Sequence, residues 1–217
     1  MARVTNSILE GMRGKIGDIV IYKIGGKTYS RRAPSKQSKN TKKKTSELKR
    51  LSQSVNTQTH AFLKNYTHLL RFGYQELADG GSRPYHAAVS HTSKNSFVFQ
   101  NGKKVLDLSL VKLSKGSLTG AQNAKAERNP EGILFSWENN SWIASAKPSD
   151  QAFVILINQD GSSIWEFFGN YRELGSYLLP VSETALENSW FAFLAFSQEN
   201  PWTKKRILSD SVYLGEI

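Results

Sequence analysis

The apolar positions of this 217-residue chain change period twice along its length. Residues 18–24 are almost wholly apolar or aromatic, Gly25-Gly26 follows as a two-residue turn signal, and 27–32 returns as a second extended run. This pattern predicts a β-hairpin. With the two glycines as the turn, Ile24 lies opposite Lys27, Tyr22 opposite Tyr29 and Val20 opposite Arg31, all on one face. Ile19, Ile21, Lys23, Thr28, Ser30 and Arg32 take the other face, and Pro34 ends strand pairing. From Leu48 the period lengthens. Leu48, Leu51, Val55, Phe62, Tyr66, Leu69 and Leu70 recur at helical spacing, which predicts an amphipathic helix of about 25 residues. Gly80-Gly81 marks a break, and Pro84 at a first helical position starts a shorter helix through about His91.

Beyond Gly102 short runs rich in β-branched and aromatic residues predict strands at 105–113, 133–137, 142–146, 152–158, 164–168, 177–181, 190–196 and 211–214. Asn139-Asn140, Lys147-Pro148, Asp160-Gly161 and Asn200-Pro201 punctuate them as turns. Eight such runs without intervening helices predict an antiparallel β-sandwich of immunoglobulin or fibronectin type III character, with Trp137 between its sheets. The expected fold class is therefore α+β. Its expected domains are a basic hairpin plus helical region, 1–103, and a fibronectin-like sandwich, 104–217.

Charge adds a functional clue to this layout. The first 50 residues carry 14 Lys and Arg against three acids, Glu10, Asp18 and Glu47, while residues 51–217 carry 15 of each sign. The net charge of +11 thus belongs to the head, which is built to meet something negative or to stay soluble and mobile. Residues 35–46, with Lys36, Lys39, Lys42, Lys43 and Lys44, form a polar polycation with nothing to bury. The absence of cysteine excludes disulfides, zinc ribbons, iron–sulfur clusters and thiol nucleophiles. No stretch approaches the roughly 18 apolar residues of a membrane span, and residues 1–18 lack a signal peptide's apolar run, so cytoplasmic synthesis without export is expected.

Catalytic motifs fail on spacing. Gly26-Lys27-Thr28 has Ile21 where a phosphate loop has its first glycine, and it joins two strands instead of entering a helix. Gly11, Gly14 and Gly17 lack the dinucleotide fingerprint. His86 and His91 are five apart and His60 and His68 eight apart, unlike the i, i+4 pair of a zinc protease. There is no Gly-x-Ser-x-Gly elbow. Asp150, Asp160, Glu166 and Glu173 are carboxylates whose convergence sequence cannot establish. No enzyme activity, metal or cofactor is expected.

Three stretches carry a family likeness: Gly11-Met12-Arg13-Gly14-Lys15-Ile16-Gly17-Asp18-Ile19-Val20, then Gly26-Lys27-Thr28-Tyr29-Ser30-Arg31-Arg32-Ala33-Pro34, and Ser209-Asp210-Ser211-Val212-Tyr213-Leu214-Gly215. With Leu113-Ser114-Lys115-Gly116-Ser117-Leu118 and Phe135-Ser136-Trp137, they resemble an uncharacterised bacterial family, a domain of unknown function. The resemblance implies a basic N-terminal segment attached to a β-sandwich and brings no activity with it.

The expected function is that of a non-enzymatic binding or assembly protein whose basic head engages an acidic macromolecule, protein or nucleic acid. The candidate anion-binding residues are Lys15, Tyr22, Lys23, Lys27, Tyr29, Arg31, Arg32, Lys42, Lys43 and Lys44, because rings offer stacking platforms and flanking cations draw in phosphates. The competing reading packs Tyr22 and Tyr29 on the middle helix as a cross-strand pair, with the cations reaching to water. A carbohydrate-binding or carbohydrate-active sandwich using Trp142, Trp165 or Trp202 is the alternative from another class.

Overall fold

The computed structural model describes residues 2–5, 12–35, 46–78, 83–202 and 204–217. The chain divides into two units, Met1–Arg50 and Leu51–Ile217. Strands outnumber helices, and the paired strands are antiparallel.

The first unit is a four-stranded sheet of β1 (Ala2–Val4), β2 (Gly14–Ile16), β3 (Ile19–Ile24) and β4 (Lys27–Arg32), in the order β1-β4-β3-β2. The β3–β4 register is the one the pattern predicts: Ile24 faces Lys27, Tyr22 faces Tyr29 and Val20 faces Arg31. Gly25 and Gly26 make this possible. Their φ values of 56° and 78° are left-handed, and two such residues give a turn whose twist matches the flanking strands. The flanking strands β1 and β2 extend the expected hairpin on both sides. At three residues each they are too short to leave a period in the sequence.

In the second unit, α1 (Glu47–Leu63), α2 (Thr67–Gly73) and α3 (Pro84–Asn95) precede the main sheets, and the division between units falls within α1. The single long helix expected from Leu48 is interrupted by a 3-10 turn, Lys64–Tyr66. There the Tyr66 ring is buried and its hydroxyl donates to the Asn158 carbonyl at 2.9 Å, which redirects the chain into α2. Next come β5 (Phe97–Gln100) and β6 (Lys103–Leu106), paired as a hairpin. The expected 103/104 domain boundary lies inside this hairpin. The strand expected through 113 stops at Leu106, because the Asp107 carboxylate accepts from Ser109 N at 2.9 Å and caps a 3-10 turn, Leu108–Leu110.

Two sheets follow. β7 (Gln122–Asn129), β8 (Gly132–Glu138) and β11 (Ser176–Pro180) pair in the order β11-β8-β7. β9 (Gln151–Ile157), β10 (Ser163–Glu166), β12 (Phe191–Glu199) and β13 (Arg206–Leu208) pair as β10-β9-β12-β13, and β14 (Val212–Glu216) also pairs with β12. A one-turn helix, α4 (Glu183–Leu186), precedes β12. β9 and β12 are buried on both faces. Phe153, Ile155, Ile157, Phe191, Phe193 and Ala195 meet Leu63, Leu69, Leu70 and Tyr74 of the helical region in one core. Their alternating neighbours Val154, Leu156, Ala192, Leu194 and Phe196 meet Ile133, Phe135, Trp137 and Leu179 in a second. Strands covered by helices on one side and a sheet on the other read as continuous apolar runs, since each residue of either parity is removed from water.

The expected strand at 142–146 is a pair of tight turns instead, with Trp142 at φ 71° and Ala144 at φ 51°. Its neighbours dictate this. The Arg172 guanidinium, fully buried, donates to Asp150 Oδ2 at 3.1 Å, Asn140 Oδ1 at 2.5 Å and the Thr119 carbonyl at 2.8 Å, and it lies 3.7 Å from the centroid of Phe196. Asp150 and Asn140 thereby hold both ends of the loop to one point. Burial raises the pKa of Asp150 and lowers that of Arg172, so the pair depends on these hydrogen bonds to offset its desolvation. Trp137 is buried as expected, edge-on to Phe196, with its indole N–H donating to the Arg172 carbonyl at 2.8 Å.

Candidate functional site

Antiparallel pairing puts directly opposed residues on the same side of a sheet, and residues two apart on that side as well. Row by row, Lys15 faces Val20 and Val20 faces Arg31; Tyr22 faces Tyr29 and Tyr29 faces Arg3; Ile24 faces Lys27. One face of the first unit therefore collects Arg3, Lys15, Lys27 and Arg31 around Tyr22 and Tyr29. The two rings stack at 6.0 Å between centroids with 23° between planes, and the Arg31 guanidinium sits 5.8 Å from the Tyr22 centroid, its diagonal neighbour. The four strands contain no Asp or Glu. Lys15, Lys27, Arg3 and Arg31 are exposed and both tyrosines half-buried.

The residues of these strands that are fully buried, Ile21 and Thr28, belong to the opposite face. That placement separates the sequence candidates. Lys15, Tyr22, Lys27, Tyr29 and Arg31 come together; Lys23 and Arg32, paired with Thr28 and Ile19, project from the Ile21 side. Lys42, Lys43 and Lys44 lie outside the described residues. Arg3 belongs to the cluster and was not expected, because only the pairing of β1 with β4 brings it beside Tyr29.

Among the described residues no three of His, Asp and Glu gather as a metal site. His60 Nδ1 lies 3.0 Å from the Tyr85 hydroxyl, and His68 packs on Trp165 at 4.2 Å, where burial lowers its pKa. Asp150 is engaged by Arg172, and Glu166 accepts from Phe168 N at 3.0 Å. Gly26-Lys27-Thr28 spans a strand-to-strand turn. Trp142 and Trp202 are exposed, on separate loops. No described helix is long and apolar enough to cross a membrane.

The model of DUF6266, a family of unknown function, matches residues 11–215. No curated protein and no solved structure matches the chain.

Proposed function

The chain belongs to that family of unknown function, DUF6266, and on this premise we propose that it is a non-enzymatic binding protein whose N-terminal sheet engages an acidic polymer, single-stranded nucleic acid by preference. One observation supports the reading: among the described residues of the four strands, two stacked tyrosines share a sheet face with four exposed cations and no carboxylate. Unpaired bases stack on such rings regardless of sequence, while Lys and Arg neutralise the phosphates between them. An acidic protein has use for the cations but less for the rings.

For the second unit we infer an immunoglobulin or fibronectin type III-like sandwich. Lettering its strands in chain order, β7, β8 and β11 stand as A, B and E, and β10, β9, β12 and β13 as C′, C, F and G, which is the order of that architecture. The β14 segment continues G after a break at 209–211. The sandwich by itself assigns no activity, since this architecture hosts many.

Fluorescence anisotropy with labelled oligo-dT, oligo-U and a matched duplex tests the binding reading. Four phosphate contacts on a single strand predict a log K against log salt slope of about −3. Tyr22→Ala and Tyr29→Ala each weaken single-strand binding by about tenfold or more, and Lys15→Gln with Arg31→Gln flattens the salt slope. Absence of binding to either single strand at low salt, or binding indifferent to all four substitutions, would falsify the proposal.

A further inference from the structure

The second unit contains a cleft of about 500 Å³ lined by Thr67 and Arg71 of α2 and by Arg83, Pro84, Tyr85 and His86 where α3 begins. Thr67 and Arg71 are four apart, so they lie one helical turn apart on one face of α2. Arg83 comes from a different element, as the N-cap of α3. Among the described residues, the lining has two guanidiniums and an imidazole and no carboxylate. Among the described residues neither the Arg71 nor the Arg83 side chain has a hydrogen bond, an ion pair or an aromatic partner, whereas Arg172 and Arg206 of the same unit each engage an acid.

Two arginines that line one concavity repel each other unless an anion lies between them, and a cleft whose described charges share one sign concentrates its field on whatever enters. Side chains are the charged donors here. Pro84 has no N–H, and the N–H groups of His86 and Ala87 are spent on the Arg83 carbonyl at 2.9 and 3.2 Å. Guanidiniums suit this task because their fixed fork of N–H groups matches the oxygens of a phosphate. The volume exceeds what an inorganic anion fills and falls within the usual range for small-molecule sites. Pro84 and the Tyr85 ring, tethered through its hydroxyl to His60 Nδ1 at 3.0 Å, supply the apolar wall that an organic body requires.

We propose that this cleft binds a phosphate monoester of nucleotide size, with the phosphoryl group between Arg71 and Arg83 and the organic part against Pro84 and Tyr85. The site is independent of the basic sheet face and of the polymer proposed for it.

Isothermal titration of the full chain with adenosine monophosphate, adenosine and inorganic phosphate tests the assignment. Expected is saturable one-to-one binding of adenosine monophosphate, at least tenfold weaker binding of phosphate and none of adenosine. Arg71→Gln and Arg83→Gln each weaken the nucleotide by tenfold or more, while Lys103→Gln, at an exposed residue outside the lining, leaves it unchanged. Both arginines are exposed, so their replacement leaves the urea midpoint in place. A second measurement needs no variant: the nucleotide protects Arg71 and Arg83 of the wild-type chain from phenylglyoxal, read by mass spectrometry. Failure of the nucleotide to bind, adenosine binding as tightly, or modification indifferent to the nucleotide each overturns the proposal. Phosphate binding as tightly as the monoester overturns the organic part of it.

Discussion

Arg172 illustrates how one side chain fixes a region that local sequence preference would build differently. Its three charged or polar partners belong to segments 119–120, 139–140 and 150, and its aliphatic and cationic body covers Phe196. With Arg172 and Asp150 both fully buried, the carboxylate has no water to fall back on. Removing one partner of such a pair leaves an uncompensated buried charge, at about 3–5 kcal/mol. Arg172→Met is therefore expected to lower the urea unfolding free energy at neutral pH by that amount. Adding Asp150→Asn returns part of the loss, because the two residues are coupled and their effects do not add. Additive losses in the double variant would mean that the ion pair is not what holds the loop.

At the level of elements, the β3–β4 hairpin and the 139–150 loop make a contrast. The hairpin's register follows from two glycines and an alternating face, both local. Val at Gly25 or Gly26 would be forced to φ near 56° or 78°, a left-handed conformation that costs an L-residue roughly 1–2 kcal/mol. Gly25→Val and Gly26→Val should each reduce hydrogen-exchange protection of the β4 amides while leaving β9 and β12 as protected as before. Equal loss in β9 and β12 would show that the sheet does not open by itself. The 139–150 loop has no such local signal. Trp142-Ile143-Ala144 is β-favouring by composition, yet it adopts left-handed φ at Trp142 and Ala144 because Asn140 and Asp150 are pinned.

On the scale of the whole molecule, the second unit is organised around a sheet with a core on each face, and its tyrosines report on that burial. Tyr66 and Tyr74 are buried phenols whose hydroxyls donate to the carbonyls of Asn158 and Lys112, each at 2.9 Å. Burial raises the pKa of both above the value of about 10 in the unfolded chain, and for Tyr74 the nearby Asp210 charge adds to the effect. The native state then keeps protons that the unfolded state releases. The stabilising contribution is complete below about pH 10 and is lost as pH rises from there through the native pKa, at about 1.4 kcal/mol per pH unit for each phenol. Urea unfolding followed by tryptophan fluorescence should give a free energy level from pH 8 to 10 that falls beyond it, with Tyr74→Phe less steep. A flat profile to pH 11.5 would contradict the burial of these groups.

A second whole-molecule feature joins two stretches that are distant in sequence. Residues 113–118 and 209–215 meet: Ser114 Oγ donates to the Ser209 carbonyl at 2.8 Å, Ser211 Oγ accepts from Leu113 N at 2.9 Å, and Leu118 N donates to the Leu208 carbonyl at 2.9 Å. Gly73 closes the same joint, since a Cβ there would overlap the Leu113 carbonyl oxygen. The small residues are required by a buried polar crossing of three segments, which no single stretch reveals.

The sequence alone determined what short-range physics controls: the hairpin register and its aromatic face, Pro84 opening a helix, Trp137 between sheets, and the runs of β9 and β12. It left undetected β7, whose Ala124 and Ala126 alternate with Lys125 and Glu127 and favour a strand only because β8 offers its edge. Arg3 joined the cationic face by the same kind of long-range pairing. Tertiary structure decided where the helices belong. That β9 and β12 are covered on both faces, with α1 to α3 as the second cover, followed only from the shared core. Local preference is worth tenths of a kcal/mol per residue, whereas burying one large apolar side chain is worth about 1.5–3 kcal/mol, so contacts distant in sequence outweigh it wherever the two disagree.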